Sequence, residues 1–137
     1  MAGVARRPPE ESLLEARRHN FLAAWAEVRD QAALAWADIS TGELRVIACP
    51  QVRLVPELAR LAPRELLVSE AREGEFIDAA ADLGLALTPL ARGAFDSQGG
   101  ERRLCDLFAV NTLDPFGSFS RAEIAAMGAI VEYLDLT

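Results

Sequence analysis

The stretch Ala32–Val46, AALAWADISTGELRV, constrains this chain more than any other. Two β-prone runs flank Asp38-Ile39-Ser40-Thr41-Gly42-Glu43, and a polar centre holding a glycine reads as a tight reversal between antiparallel strands. Leu34, Trp36, Leu44, Val46 and Cys49 supply the bulky positions while alanines fill the gaps, the pattern of strands covered on both faces. Such strands lie inside a sheet. Asp38, at the turn, is expected to accept backbone hydrogen bonds.

The flanking sequence extends this hairpin in both directions. Phe21, Ala23 and Trp25 share one parity before Arg29-Asp30-Gln31, which predicts a first strand and hence an antiparallel meander over about 20–28, 32–39 and 43–48. The alanine content keeps helix as an alternative for the first of these. After Pro50 the period changes: Val55, Leu58, Leu61 and Ala62 fall on one helical face, Pro56 suits a first turn, and Pro63 stops a helix of about two turns. Leu66-Leu67-Val68 reads as a short buried strand. Glu75–Leu83 places Phe76, Ile77, Ala80 and Leu83 on one helical stripe ending at Gly84. Leu85–Thr88 predicts a fifth strand cut off by Pro89, and Arg92–Gly100, with three glycines, predicts a loop. A helix over Glu101–Val110 is expected to pack through Leu104, Leu107 and Phe108. The last helix has an S-x-x-E capping box in Ser120 and Glu123, a hydrophobic staple in Phe119 and Ile124, and a stripe of Ile124, Met127, Val131 and Leu134. It carries no stop signal before Thr137, which reads as a segment cut from something longer.

Composition narrows the function classes. The 137 residues, 51% of them hydrophobic, suffice for one core. Residues 1–11, with Pro8-Pro9 and no periodicity, read as a tail or linker, and 12–137 as a single domain. The net charge of −7 disfavours direct binding to the nucleic-acid backbone. All 14 basic residues are arginine, so a P-loop lysine and a Schiff-base lysine are both absent. Cys49 and Cys105 form no paired motif and read as apolar filler in a reducing cytoplasm; His19, the one histidine, reads as a surface or strand-entry residue. No apolar run reaches the roughly 18 residues of a membrane span, and no signal peptide is recognisable.

Three meandering strands, then helix, strand, helix, strand and C-terminal helices, give a mixed α/β order. Right-handed crossovers would set strands four and five parallel to strand one beside the meander, an arrangement found in ribonuclease H-like domains. Four blocks then carry a family resemblance: Asn20-Phe21-Leu22-Ala23-Ala24, Ala35-Trp36-Ala37-Asp38-Ile39-Ser40-Thr41-Gly42-Glu43, Pro63-Arg64-Glu65-Leu66-Leu67-Val68, and Ala125-Ala126-Met127-Gly128-Ala129-Ile130-Val131-Glu132-Tyr133-Leu134. In order and spacing they resemble the connector domain, domain II, of bacterial MutS mismatch-repair proteins, over roughly Ser12–Thr137. The resemblance implies a ribonuclease H-like fold and a non-catalytic role. The domain would join the mismatch-recognition domain to the core and ATPase part of a cytoplasmic protein and offer a docking surface for MutL. It would itself be monomeric and without cofactor. ATP and magnesium would belong to the parent's ATPase domain, and mismatched DNA would be met only through the parent.

Regional carry-over places the MutL-facing surface after strand five, at Glu101, Arg102 and Arg103. Phe116, in Asp114–Phe119, is a second candidate, either core anchor or exposed contact. A solvated charge cluster at a helix start is the plain alternative for the first group. The competing reading is a ribonuclease H-like, metal-dependent nuclease with Asp38, Glu57, Glu70 and Asp96 as candidate ligands. Against it, Phe21–Ala26 contains no carboxylate where such a nuclease anchors its metals. A self-associating structural module is a third class.

Overall fold

The computed structural model describes residues 20–136, and the expectations for the 1–11 tail and for His19 lie outside them. Strands β1 (Phe21–Val28), β2 (Gln31–Asp38) and β3 (Glu43–Ala48) form the antiparallel meander. Helix α1 (Gln51–Leu61) leads to β4 (Glu65–Ser69), and a 3-10 turn precedes α2 (Ile77–Leu83). Strand β5 (Ala86–Leu90) follows, then α3 (Ser97–Phe108) and α4 (Arg121–Leu136). The sheet order is β3-β2-β1-β4-β5, with β4 parallel to both β1 and β5, as the element order predicted.

Alternation in β1 and β2 decides what lies on each face. Leu22, Ala24, Ala26, Ala33, Ala35 and Ala37 look one way, into a core shared with Ala122, Ala125, Ala126, Ala129 and Ile130 of α4. Ala23, Trp25 and Leu34 look the other way, against Leu54, Leu58 and Leu61 of α1, Phe76, and Ala80 of α2. The sheet is therefore sandwiched at β1 and β2, as the alanine-filled run required, whereas β3 is an edge strand whose Leu44, Val46 and Ile47 are only half-buried, against the expectation that both hairpin strands are covered. Trp25, 2% exposed, donates its indole N–H to the Cys49 carbonyl at 2.9 Å and meets Phe76 edge-on at 5.3 Å.

The β2–β3 reversal takes the expected form. Asp38 is buried, its carboxylate accepts the Ser40 N–H at 2.9 Å, and its carbonyl accepts the Gly42 N–H at 2.7 Å. Gly42 has φ of 79°, a conformation that costs a glycine little. The α4 capping box is present on both sides: Glu123 Oε1 accepts from the Ser120 N–H at 2.8 Å and Ser120 Oγ accepts from the Glu123 N–H at 3.1 Å. Near its C-terminus Tyr133 donates to Glu65 Oε2 at 2.7 Å, and Thr88 donates to the same oxygen at 2.6 Å, tying α4 to β4 and β5.

Several expectations are corrected. Helix α1 is longer than two turns, places Pro56 mid-helix and buries Leu54, Leu58 and Leu61, while Val55 is exposed. Pro56 is tolerated there because it sits on the solvent side. Residues before Ile77 form the 3-10 turn, and Ile77 itself is exposed. Strand β5 runs through Pro89, which an edge strand permits because no neighbour needs its missing N–H on the open side. The predicted loop at 92–100 contains a 3-10 turn (Arg92–Phe95) and the first turn of α3, and that helix ends before Val110. In α3 only Leu104 of the predicted trio is buried; Leu107 and Phe108 are exposed, as is Leu134 of α4.

Candidate partner surface

Helix α3 starts early because Asp96 caps it, its Oδ2 accepting the Gly99 N–H at 3.0 Å. Gly99 and Gly100 then lie buried inside the helix. Gly100 faces Gly128 of α4 so closely that a Cβ on Gly128 would fall inside van der Waals contact with the Gly100 Cα, and one on Gly100 would stand 2.9 Å from the Ile124 carbonyl oxygen. Two helix backbones touch at this crossing, and side chains are arranged around it.

That crossing sorts the predicted charge cluster. Glu101 pairs with Arg121 at 2.9 Å and Arg103 with Glu132 at 3.4 Å, so both tie α3 to α4. Arg103 Nη1 and Glu132 Oε2 are buried without a hydrogen-bond partner among the described residues. Arg102 alone of the three is exposed without a recorded pair among the described residues, and with Gln98, Cys105, Asp106 and Asn111 it lines an open hollow of about 480 Å³. A guanidinium there can fork onto a carboxylate brought from outside.

Phe116 belongs to a different part of the same helical layer. It lies in a 3-10 turn (Asp114–Phe116), is 50% exposed, and packs its ring against Phe108 at 5.0 Å. The pair overhangs a cleft of about 90 Å³ walled by Leu44, Leu104, Leu113, Phe119 and Met127. Phe116 is thus half exposed and not a core anchor.

The four nuclease candidates have separate structural employments. Asp38 holds the hairpin turn, Glu57 pairs with Arg60 on α1, Glu70 opens the 3-10 turn after β4, and Asp96 caps α3. Among the described residues no three His, Cys, Asp or Glu side chains gather where they could hold a metal ion.

Sequence reasoning missed Arg72. Its guanidinium lies 5.1 Å from the Trp25 ring centroid, pairs with Glu27 at 2.6 Å and with Glu75, and donates to Gln51 Oε1 at 2.9 Å. The hydrogen bond to Glu75 raises the Arg72 pKa above its ordinary value and holds the Glu75 carboxyl below its own. Arg72 and Arg92 flank a crevice of about 270 Å³ outside the carboxyl ends of β1 and β4, but the Arg72 charge is already spent on internal carboxylates. No local pattern in the sequence joins Glu27, Gln51 and Arg72; only the parallel pairing of β1 and β4 does. Burial pushes the Cys49 thiol pKa up, which fits apolar filler rather than a nucleophile.

The family described as MutS domain II matches residues 20–137. The chain is 66% identical to the DNA mismatch repair protein MutS of Cereibacter sphaeroides over 128 residues, 93% of this chain and 14% of that protein. It is likewise 66% identical to the MutS of Paracoccus denitrificans, and 59% identical to that of Roseobacter denitrificans, over 93% of the chain in each case. The chain spans about a seventh of the length of these curated relatives.

Proposed function

This chain belongs to the MutS domain II family, and we propose that it acts as the non-catalytic connector of a DNA mismatch-repair MutS protein. In that role the domain, residues 12–137 of this chain, joins a mismatch-recognition part to a core and ATPase part and offers MutL a docking surface. ATP, magnesium and mismatched DNA are met by the parent protein, which is cytoplasmic; the domain itself is a monomer without cofactor. Its strand order of β3-β2-β1-β4-β5, with parallel β1, β4 and β5, supports a ribonuclease H-like fold. No described helix is long and apolar enough to cross a membrane.

The observation that carries this reading is the division of labour along α3. Its inner side is fixed to α4 by a glycine crossing and two ion pairs, while Arg102 and the Phe108–Phe116 pair stand outward. A connector needs this combination, a stiff body that transmits orientation and a few outward anchors that a partner can desolvate.

The test is capture of a MutL N-terminal fragment by a full-length MutS carrying this chain as its domain II. Arg102→Glu with Phe116→Ala should weaken capture at least tenfold while the mismatch-stimulated ATPase persists. Undiminished capture removes the docking surface from this face. Loss of ATPase coupling without loss of capture would leave only the mechanical half of the proposal.

A further inference from the structure

Helix α1 is apolar on two opposite sides. Leu54, Leu58 and Leu61 recur at i, i+4 and i+7 and are buried against the sheet. Val52, Pro56 and Ala59 repeat the same spacing two residues out of phase, about 200° around the helix, and all are exposed. Val52 is 88% exposed and the adjoining Val55 46%. A helix on the surface of a globular domain ordinarily turns charged residues outward, and this one turns a contiguous apolar ridge outward instead.

The charge around the ridge indicates what covers it. Arg53 and Arg60 flank it at i and i+7, and Arg64 stands just beyond the end of the helix. Glu57, paired with Arg60, is the one acid between Gln51 and Arg64, a local net charge of +2 in a chain whose total is −7. Neither Arg53 nor Arg64 has a side-chain hydrogen bond or ion pair among the described residues. Glu65, beside Arg64 in sequence, is engaged by Thr88 and Tyr133. Glu75 is engaged by Arg72 and Gln51.

We infer that the outer face of α1 is a docking ridge for an amphipathic helix of a protein partner, one with an apolar stripe and an acidic flank. A phosphate backbone would satisfy the arginines but would leave Val52, Val55, Pro56 and Ala59 against water, and it would meet the repulsion of a strongly acidic chain. This face lies on the opposite side of the sheet from α3 and α4, so the inference does not rest on the docking surface proposed above.

The experiment is titration of the isotopically labelled chain, followed by amide shifts. The probes are a synthetic helical peptide with leucines at i, i+4 and i+7 beside glutamates, the same peptide with serines for leucines, and a short DNA duplex. The leucine peptide should shift amides of residues 51–64, and Val52→Asp with Arg53→Glu should weaken it at least tenfold. Should that variant lose its fold, Val52→Ser with Arg60→Gln is the substitute, with the same expected direction. The inference is overturned if the leucine peptide does not bind or shifts another region, if the serine peptide binds as well, or if the variant binds undiminished. Tighter binding of the duplex through the same amides would replace a protein partner with nucleic acid.

Discussion

The two faces of the sheet are packed by different means. On one, α4 lies on alanines with alanines of its own, and α3 meets α4 glycine to glycine. On the other, α1 and α2 are held off by Trp25, leucines and Phe76. Small residues bring backbones together and fix distance sharply, because an added methyl has nowhere to go. Bulky residues bury more area per contact and tolerate adjustment in position, but each carries a larger share of the stability.

That contrast can be broken most severely at Trp25. Trp25→Ala removes a buried ring, its hydrogen bond to Cys49 and the surface beneath Arg72, and should cost about 4 kcal/mol in urea unfolding. A loss under about 1 kcal/mol would mean that the bulky face is plastic enough to close over the gap.

Gly128→Ala tests the other face. The clash is with backbone, so overpacking lies toward the upper end of about 1–3 kcal/mol, and an offset of up to about 1 kcal/mol of helix propensity leaves an expected net loss of about 2 kcal/mol. Gly74→Ala, where an added Cβ meets nothing within 4 Å, serves as control and should cost little. Equal effects at the two positions would remove the claim that the α3–α4 crossing is limited by contact.

The smallest expected effect concerns the Arg72 hub. Its hydrogen bond, with a lesser one from Gln51, holds the Glu75 carboxyl below the ordinary glutamate value. A carboxyl whose folded pKa is depressed adds stability above its unfolded pKa and loses it as pH falls through the folded value. Glu75→Gln should therefore flatten the fall in melting temperature between about pH 5 and pH 3, leaving a shallower acid limb than the parent chain has. Parallel acid limbs would show that the pair is screened into irrelevance.

How much was legible in the sequence follows from the range of each interaction. The hairpin turn and the α4 cap are closed by residues within a few positions of one another, and both formed as read. In the α1 stripe Leu58 and Leu61 are buried as read, but Leu54 and not Val55 completes the buried side, a choice the sheet beneath the helix makes. Gly99 and Gly100 carry the local signal of a loop, yet Gly128, far along the chain, makes them the centre of a helix crossing. At the candidate surface the run Glu101-Arg102-Arg103 reads as one patch, but α4 takes Glu101 and Arg103 and leaves Arg102 outward.

By itself the sequence determined the alternation that buries β1 and β2 on both faces, the reversals between strands, the capped final helix and the family. These depend on backbone preference and on the period of side chains along a single element, which neighbours in sequence settle. Only the tertiary structure decided which arginines are spent on internal partners and which of two ridges faces water. Charge pairing and burial are properties of distance in space, and here the groups that meet, Arg72 with Glu27 or Gly100 with Gly128, are brought together by the sheet and the helices laid across it.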